Sequence, residues 1–245
     1  MSVLLSSDGL RVTRGPGPRA PVLSLEFAKF NGTTTVGTIN SVASQLHSAD
    51  GDYWYAALIK SGNDGGRFFE LTDTGDTSPF LILNASVAKA RYRSRRAGFV
   101  ITADETTADD VYDDTTRLIV WETRDEGADA GIRSFIDDDP VVFYGAGSEV
   151  RSLVNWANTA EIGGRSGADR FDGLMGWFGS GTGRATDGRA AINAALASGG
   201  RRALSAAFDA VSGVDLIAAY VLDGESPPDA GPAIAWTDIT FEVPA

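Results

Sequence analysis

Arg117-Leu-Ile-Val-Trp-Glu122, Ile132-Arg-Ser-Phe-Ile-Asp137, Glu161-Ile-Gly-Gly164 and Arg170-Phe-Asp-Gly-Leu-Met-Gly-Trp-Phe178 are four short apolar runs bounded by polar or glycine residues. Runs of this length, rich in β-branched and aromatic side chains, are the composition of strands. Working outward, Leu23, Leu25 and Phe27 alternate with Ser24 and Glu26, the period of two that marks a half-buried strand. The same reading predicts strands at 53–60, 67–71, 79–84, 86–93, 98–102, 117–122, 131–136, 140–144 and 159–163. The separators, among them Ser61-Gly-Asn-Asp-Gly-Gly66, Asp73-Thr-Gly-Asp76 and Asp137-Asp-Asp139, consist of residues that accept turn geometry. Many short strands at close spacing mean a sandwich or a barrel.

The rhythm changes once, after the glycine-rich stretch 173–183. Thr186 or Asp187 is placed to cap a helix running to about Ala197 and ended by Gly199-Gly200. Leu204, Phe208 and Val211 then recur at the i, i+4, i+7 spacing of a second helix. Alternation resumes at Val214, Leu216, Ala218, Tyr220 and Leu222, and again at Ile239, Phe241 and Val243. Ile234 and Trp236 are out of phase with that last segment, which predicts a bulge near Thr237-Asp238 or a strand buried on both faces. At the other end, the Pro- and Gly-rich residues 10–21 exclude a helix or an inner strand. Residues 1–20 therefore read as an extended N-terminal arm and 21–245 as one domain.

The four quoted runs resemble, in order, the laminin-G-like and concanavalin-A-like jelly rolls. There a strand precedes a Tyr-Val-Asp-Gly-type hairpin, an Ile-Gly-Gly turn and a Phe-x-Gly-x-Ile-x-x-Val strand. Here Asp137-Asp-Asp139 replaces the Asp-Gly turn, and two helices follow Phe171-Asp-Gly173 where the family often has one. The resemblance implies an all-β, two-sheet antiparallel jelly-roll sandwich, concanavalin A-like, with a short helical insertion near 186–212 and neighbouring first and last strands. Members of this family bind glycans, bind proteins, hydrolyse β-glucans or form outer parts of bacteriophage virions, so the fold by itself selects no activity.

Composition narrows the field. The 245 residues carry a formal net charge of −12, a pI near 4.5, no cysteine and a single histidine. Disulfide scaffolds, thiolate zinc sites and cysteine nucleophiles are excluded, and so large an acidic excess disfavours duplex DNA or an anionic membrane as the main partner. No apolar run reaches the length of a membrane span. Met1–Asp8 lacks the basic segment and apolar stretch of a secretion signal, which leads to the expectation of a protein completed in the cytoplasm.

Candidate sites follow from residue chemistry. Glycoside hydrolysis needs two carboxylates on one cleft face, but Glu122 and Asp125 stand at an odd spacing that sends them to opposite faces of a strand, and a solvated turn is the alternative. His47 lies in a polar stretch, and Gly-x-Ser-x-Gly is absent. Gly179, Gly181 and Gly183 fit close backbone packing or a bulge better than a phosphate cradle. Calcium, bound through loop carboxylates, has Asp50, Asp52, Asp73 and Asp76 as candidate ligands, with solvated loops as the alternative; no cofactor is otherwise required. Tyr53, Trp54, Tyr55 and Trp156 offer aromatic faces suited to a glycan or a partner protein, with core packing as the competing role. Trp121, Trp177 and Trp236 read as core. Arg91, Arg93 and Arg95, with Arg96 beside them, form a positive stripe suited to an acidic neighbour such as another copy's 104–114 loop, or to cross-strand pairing within the chain. These features are read as a non-enzymatic structural or binding module of a virion surface, a homo-oligomer assembled with other virion proteins. A glycan-binding adhesin is the alternative and a hydrolase the least favoured reading.

Overall fold

The computed structural model describes residues 26–43, 45–46, 51–62, 66–72, 80–86, 89–96, 99–104, 111, 113–124, 131–144, 159–164 and 170–244. Its strands are β1 (Phe27–Asn31), β2 (Val36–Thr38), β3 (Tyr53–Lys60), β4 (Arg67–Thr72), β5 (Phe80–Ser86), β6 (Lys89–Arg96), β7 (Phe99–Asp104) and β8 (Thr116–Arg124). They continue with β9 (Gly131–Ile136), β10 (Val142–Tyr144), β11 (Thr159–Ile162), β12 (Asp172–Thr182), β13 (Asp215–Val221), β14 (Ala235–Thr237) and β15 (Thr240–Glu242). Two helices, α1 (Arg189–Gly199) and α2 (Leu204–Asp209), lie between β12 and β13. The arm, residues 1–20, lies outside the described residues.

Among the described residues the strands form two antiparallel sheets. One has eight strands, in the order β10-β9-β8-β3-β12-β1-β15 with β13 also on β12; the other has seven, in the order β14-β2-β11-β4-β5-β6-β7. The first and last strands pair, Phe27 opposite Glu242 and Lys29 opposite Thr240, and a Lys29–Glu242 ion pair joins them. The chain is thus a two-sheet antiparallel sandwich of the jelly-roll kind with a helical insertion.

The eight-stranded sheet is covered on both faces, and β3 records this in its sequence. Tyr53, Tyr55, Ala57 and Ile59 belong to the core between the sheets. Trp54, Ala56 and Leu58 belong to a second core, shared with Ala185, Ile192, Leu204 and Phe208 of the helical insertion. A strand buried on both sides needs an unbroken apolar run, which Tyr-Trp-Tyr-Ala-Ala-Leu-Ile supplies. The helices therefore form a third layer. Phe208 inserts between two indoles, stacked on Trp54 at 4.4 Å and on Trp177 at 5.3 Å between ring centroids.

The glycines of β12 allow this packing. The register shifts between Met175 and Trp177, so Leu174 and Trp177 share the helix-side core while Met175 and Phe178 share the inter-sheet core. Gly176 sits at that irregularity, where a Cβ would come within 2.5 Å of the Phe27 ring. At Gly181, by a second shift, a Cβ would meet Asp215 O at 1.8 Å. Close backbone approach is the reason for Gly181, as expected for the Gly179–Gly181–Gly183 run, whereas at Gly176 the Phe27 ring takes the space.

Two local expectations are corrected. Neither Thr186 nor Asp187 caps α1 with its side chain; the helix follows a 3-10 turn, Ala185–Gly188, and its N-cap is Gly188. The phase change near Thr237 is neither a bulge nor a doubly buried strand. β14 pairs β2 in the seven-stranded sheet, β15 pairs β1 in the eight-stranded sheet, and the chain crosses between them at Asp238, at φ +50°. The crossing puts Trp236 and Phe241 at one edge of the sandwich.

Candidate functional site

The aromatic triplet proposed for ligand contact is in the core. Tyr53, Trp54 and Tyr55 are 5%, 0% and 1% exposed, because the second sheet covers one face of β3 and the helices cover the other. Tyr55 donates its hydroxyl to Leu46 O at 2.7 Å and Trp54 its indole N–H to Thr182 O at 3.2 Å. Both are occupied as structural donors. Trp156 lies outside the described residues.

Of the calcium candidates, Asp50, Asp73 and Asp76 lie outside the described residues. Asp52 accepts from Arg184 Nε at 2.6 Å, and among the described residues no group of three or more acids and histidines is arranged to hold a metal ion. His47 and Asp125 are likewise outside the described residues.

Arg91, Arg93 and Arg95 stand at alternate positions of β6, and Tyr92 between the first two has its ring buried between the sheets. In register, Arg91 stands across from Asn84 and Asp104, Arg93 from Ile82 and Thr102, and Arg95 from Phe80 and Val100. The side chains of Arg93, Arg95 and Arg96 lie outside the described residues. Two acids of the 104–114 segment have partners within the chain: Asp113 accepts from Arg117 at 2.6 Å, and Asp114 lies 3.8 Å from Lys60.

Glu122 is neither a catalytic acid facing a cleft nor part of a solvated turn. The strand runs on to Arg124, and the Glu122 side chain is fully buried. It accepts from Arg124 Nε and, at 2.6 Å, from the Thr186 N–H. Arg124 also donates to Asp187 Oδ1 at 2.6 Å and to Thr186 Oγ1 at 3.2 Å. Burial pushes the Glu122 carboxyl above its usual range, against the hydrogen bonds from Thr186 and Arg124. The cluster fastens the start of the helical insertion to β8.

The middle of the insertion, the turn between α1 and α2 with the first turn of α2, is fastened to the loop after β13. Asp223, buried, accepts from the N–H groups of Ser226 at 2.8 Å and Glu225 at 3.1 Å and from the Arg202 guanidinium. Burial pushes its carboxyl up, but these bonds and the Arg202 charge together hold it below the ordinary aspartate value. Arg202 also donates to Ser226 Oγ at 2.7 Å. Trp177 donates to Ser205 Oγ at 3.0 Å, and Ser205 in turn donates to Asp229. These contacts hold residues 223–230 as a wall.

Behind that wall is a cavity of about 150 Å³. Its lining includes Tyr220 and Leu222 from the end of β13, Ile234 and Trp236 from the β14 side, and Phe241 from β15. Tyr220 is 3% exposed, and its hydroxyl has no hydrogen-bond partner. Burial raises the phenol to about 12, so it is protonated and able to donate at neutral pH. A Cβ at Gly231, which has φ +82°, would come within 3.0 Å of that oxygen. Glycine there leaves the hydroxyl room. The recess has a mixed lining, in which Gly224 and Ser226 stand beside the apolar side chains, while the Tyr220 hydroxyl is itself buried from solvent.

Sequence reading assigned Trp236 to the core and passed over Tyr220 and Phe241. The available signal was Asp223-Gly-Glu-Ser-Pro-Pro-Asp-Ala-Gly-Pro-Ala233, a turn-rich segment set between aromatic residues.

No protein-family model matches the chain, nor does any curated protein. Among solved structures, domains LG4-5 of the mouse laminin alpha1 chain align at 12% identity and TM-score 0.48, over 69% of this chain and 44% of that one. The Ruminococcus gnavus IT-sialidase CBM40 bound to alpha2,6 sialyllactose aligns at 12% identity and TM-score 0.43, over 62% and 88%. The native heptameric SAP-like pentraxin from Limulus polyphemus aligns at 11% identity and TM-score 0.44, over 65% and 77%. The chain thus spans less than half of the laminin segment. All three are concanavalin-A-like jelly rolls, and at these identities and scores the likeness is one of sandwich outline only.

Proposed function

We propose that this chain is a non-enzymatic binding module displayed on a bacteriophage virion surface, where it contacts other virion proteins and further copies of itself. The observation that carries the binding reading is how the buried acids are used. Among the described residues Glu70, Glu122 and Asp223 are the buried acids, and each is held by an arginine: Glu70 by Arg67 at 2.6 Å, Glu122 by Arg124 and Asp223 by Arg202. They brace the fold. An assembly role is supported by the sheet rim: among the described residues β10 is an outer strand, and it carries Phe143, 47% exposed beneath the Arg133 guanidinium. Such a position offers apolar area to a neighbour. Among the described residues no helix is long and apolar enough to cross a membrane.

The test is quantitative mass spectrometry of gradient-purified particles from the source culture. A fixed ratio to the major capsid protein is the expected result; absence from particles overturns the virion setting. A second reading, a glycan-binding module, is favoured by the cavity beside Trp236 and Tyr220. A polysaccharide-binding screen, with and without calcium chelation, tests it.

A further inference from the structure

We infer that residues 10–21 of one copy dock along the β13–β15 edge of a second copy, an inference that deepens the proposed contact between copies and rests on it. The two stretches are complementary in charge. Residues 10–21, Leu-Arg-Val-Thr-Arg-Gly-Pro-Gly-Pro-Arg-Ala-Pro, hold three arginines and no acid, whereas residues 223–245 hold five acids and no basic residue. Of those acids Glu225, Asp229, Asp238 and Glu242 are exposed. Each stands within two residues of the lining of the recess, at Gly224, Pro228, Trp236 and Phe241. Such a local excess of one sign attracts a segment of the opposite sign and orients it. The other basic run, β6, is already paired on both sides by β5 and β7. In residues 10–21, by contrast, Pro16, Pro18 and Pro21 exclude the interior of a sheet and favour an extended chain.

The edge has a form that such a segment fits. Its recess is open to solvent and mixed in lining, with the half-buried Trp236 and Phe241 beside Gly224 and Ser226. Proline rings of an extended segment seat against aromatic side chains while the polar residues between them face water. At about 150 Å³ the recess takes a single ring, and the acids around it take the arginines. Chain direction selects the second copy. Ala28 of β1 stands opposite Phe241 and donates its N–H to Leu222 O at 3.0 Å, so β1 begins at the recess. Phe27 faces Glu242 and Lys29 faces Thr240, while the crossing at Asp238, with Trp236 before it, lies beyond Thr240. The line of β1, extended back from Phe27, therefore runs away from the chain's own Trp236. Two copies related by a two-fold axis at this edge each offer the other that approach.

The experiment is analytical ultracentrifugation of the full chain at low salt, where exposed charges are least screened. Four samples are compared: wild type, Arg14→Glu with Arg19→Glu, Glu225→Arg with Glu242→Arg, and an equimolar mixture of the two double variants. The expected result is self-association of the wild type, about tenfold weaker or worse in each variant alone, and recovered in the mixture. Recovery follows because each variant's segment then meets an edge of opposite charge on the other. A monomeric wild type overturns the inference, and so does a loss that mixing does not recover, the result of a contact within one chain. The arginine variant leaves residues 26–245 unaltered and decides by itself if the other does not fold. Association unchanged in both variants overturns this contact and leaves assembly through another surface standing. Recovery on mixing, in a protein absent from particles, leaves this contact standing and overturns the virion setting.

Discussion

The helical insertion is fastened to the sandwich at two places with different completeness. At its start, Glu122, Arg124, Thr186 and Asp187 form a closed set in which both Glu122 oxygens and the Arg124 guanidinium have partners. In its middle, Arg202, Asp223, Ser205 and Asp229 are equally well paired, but the loop they hold borders a recess, and the hydroxyl of Tyr220, a lining residue, is buried without a partner. A closed polar set makes a joint. At the second place a buried hydroxyl left without a partner costs stability that the first avoids.

The strongest way to break this comparison is to remove what both places depend on. Phe208→Ala takes away the ring between Trp54 and Trp177 and is expected to cost about 4 kcal/mol in urea unfolding, with loss of near-UV signal from both indoles. Next, Arg124→Ala strands the buried Glu122 carboxylate and is expected to cost about 3 kcal/mol. Glu122→Leu combined with Arg124→Leu recovers much of that loss if the pair is a joint and nothing more. A smaller effect, about 1–2 kcal/mol, is expected for Arg202→Ala, together with weaker binding at the cavity whose wall it braces.

The acids at the two places respond to pH in opposite senses. Asp223 is held below its ordinary range, so its contribution is present at neutral pH and is lost as pH falls from about 4 through its folded pKa. Glu122 is pushed up, so the folded state takes its proton first and stability falls as pH rises through its folded pKa. Asp223→Asn should flatten the acid limb of a stability–pH curve, and Glu122→Gln should remove the opposing slope above pH 4 (about the unfolded glutamate value). Identical curves for the two variants would contradict the assignment.

Much of the sandwich was legible in the sequence because strand burial leaves a period. β3 and β9 occupy the residues that alternation and turn chemistry predicted, 53–60 and 131–136. The helices were legible too, from Gly199-Gly200 and the Leu204–Phe208–Val211 spacing. What the sequence could not disclose was which surface covers which. An unbroken apolar strand such as β3 has two faces to bury, and nothing in it states that helices from residues 189–209 lie on one of them. That missing layer turned Tyr53, Trp54 and Tyr55 from core residues into ligand candidates. The β14–β15 phase change was visible, yet a bulge and a change of sheet leave the same break in alternation. Tyr220 read as an inward strand residue, which it is; that its hydroxyl lies against Gly231 without a partner is set by tertiary structure.

The smallest expected change is also the most direct test of the account. Tyr220→Phe and wild type are unfolded in urea side by side. The account predicts that the variant is more stable by about 1 kcal/mol, because an unsatisfied buried hydroxyl has gone. A variant less stable than wild type would contradict it.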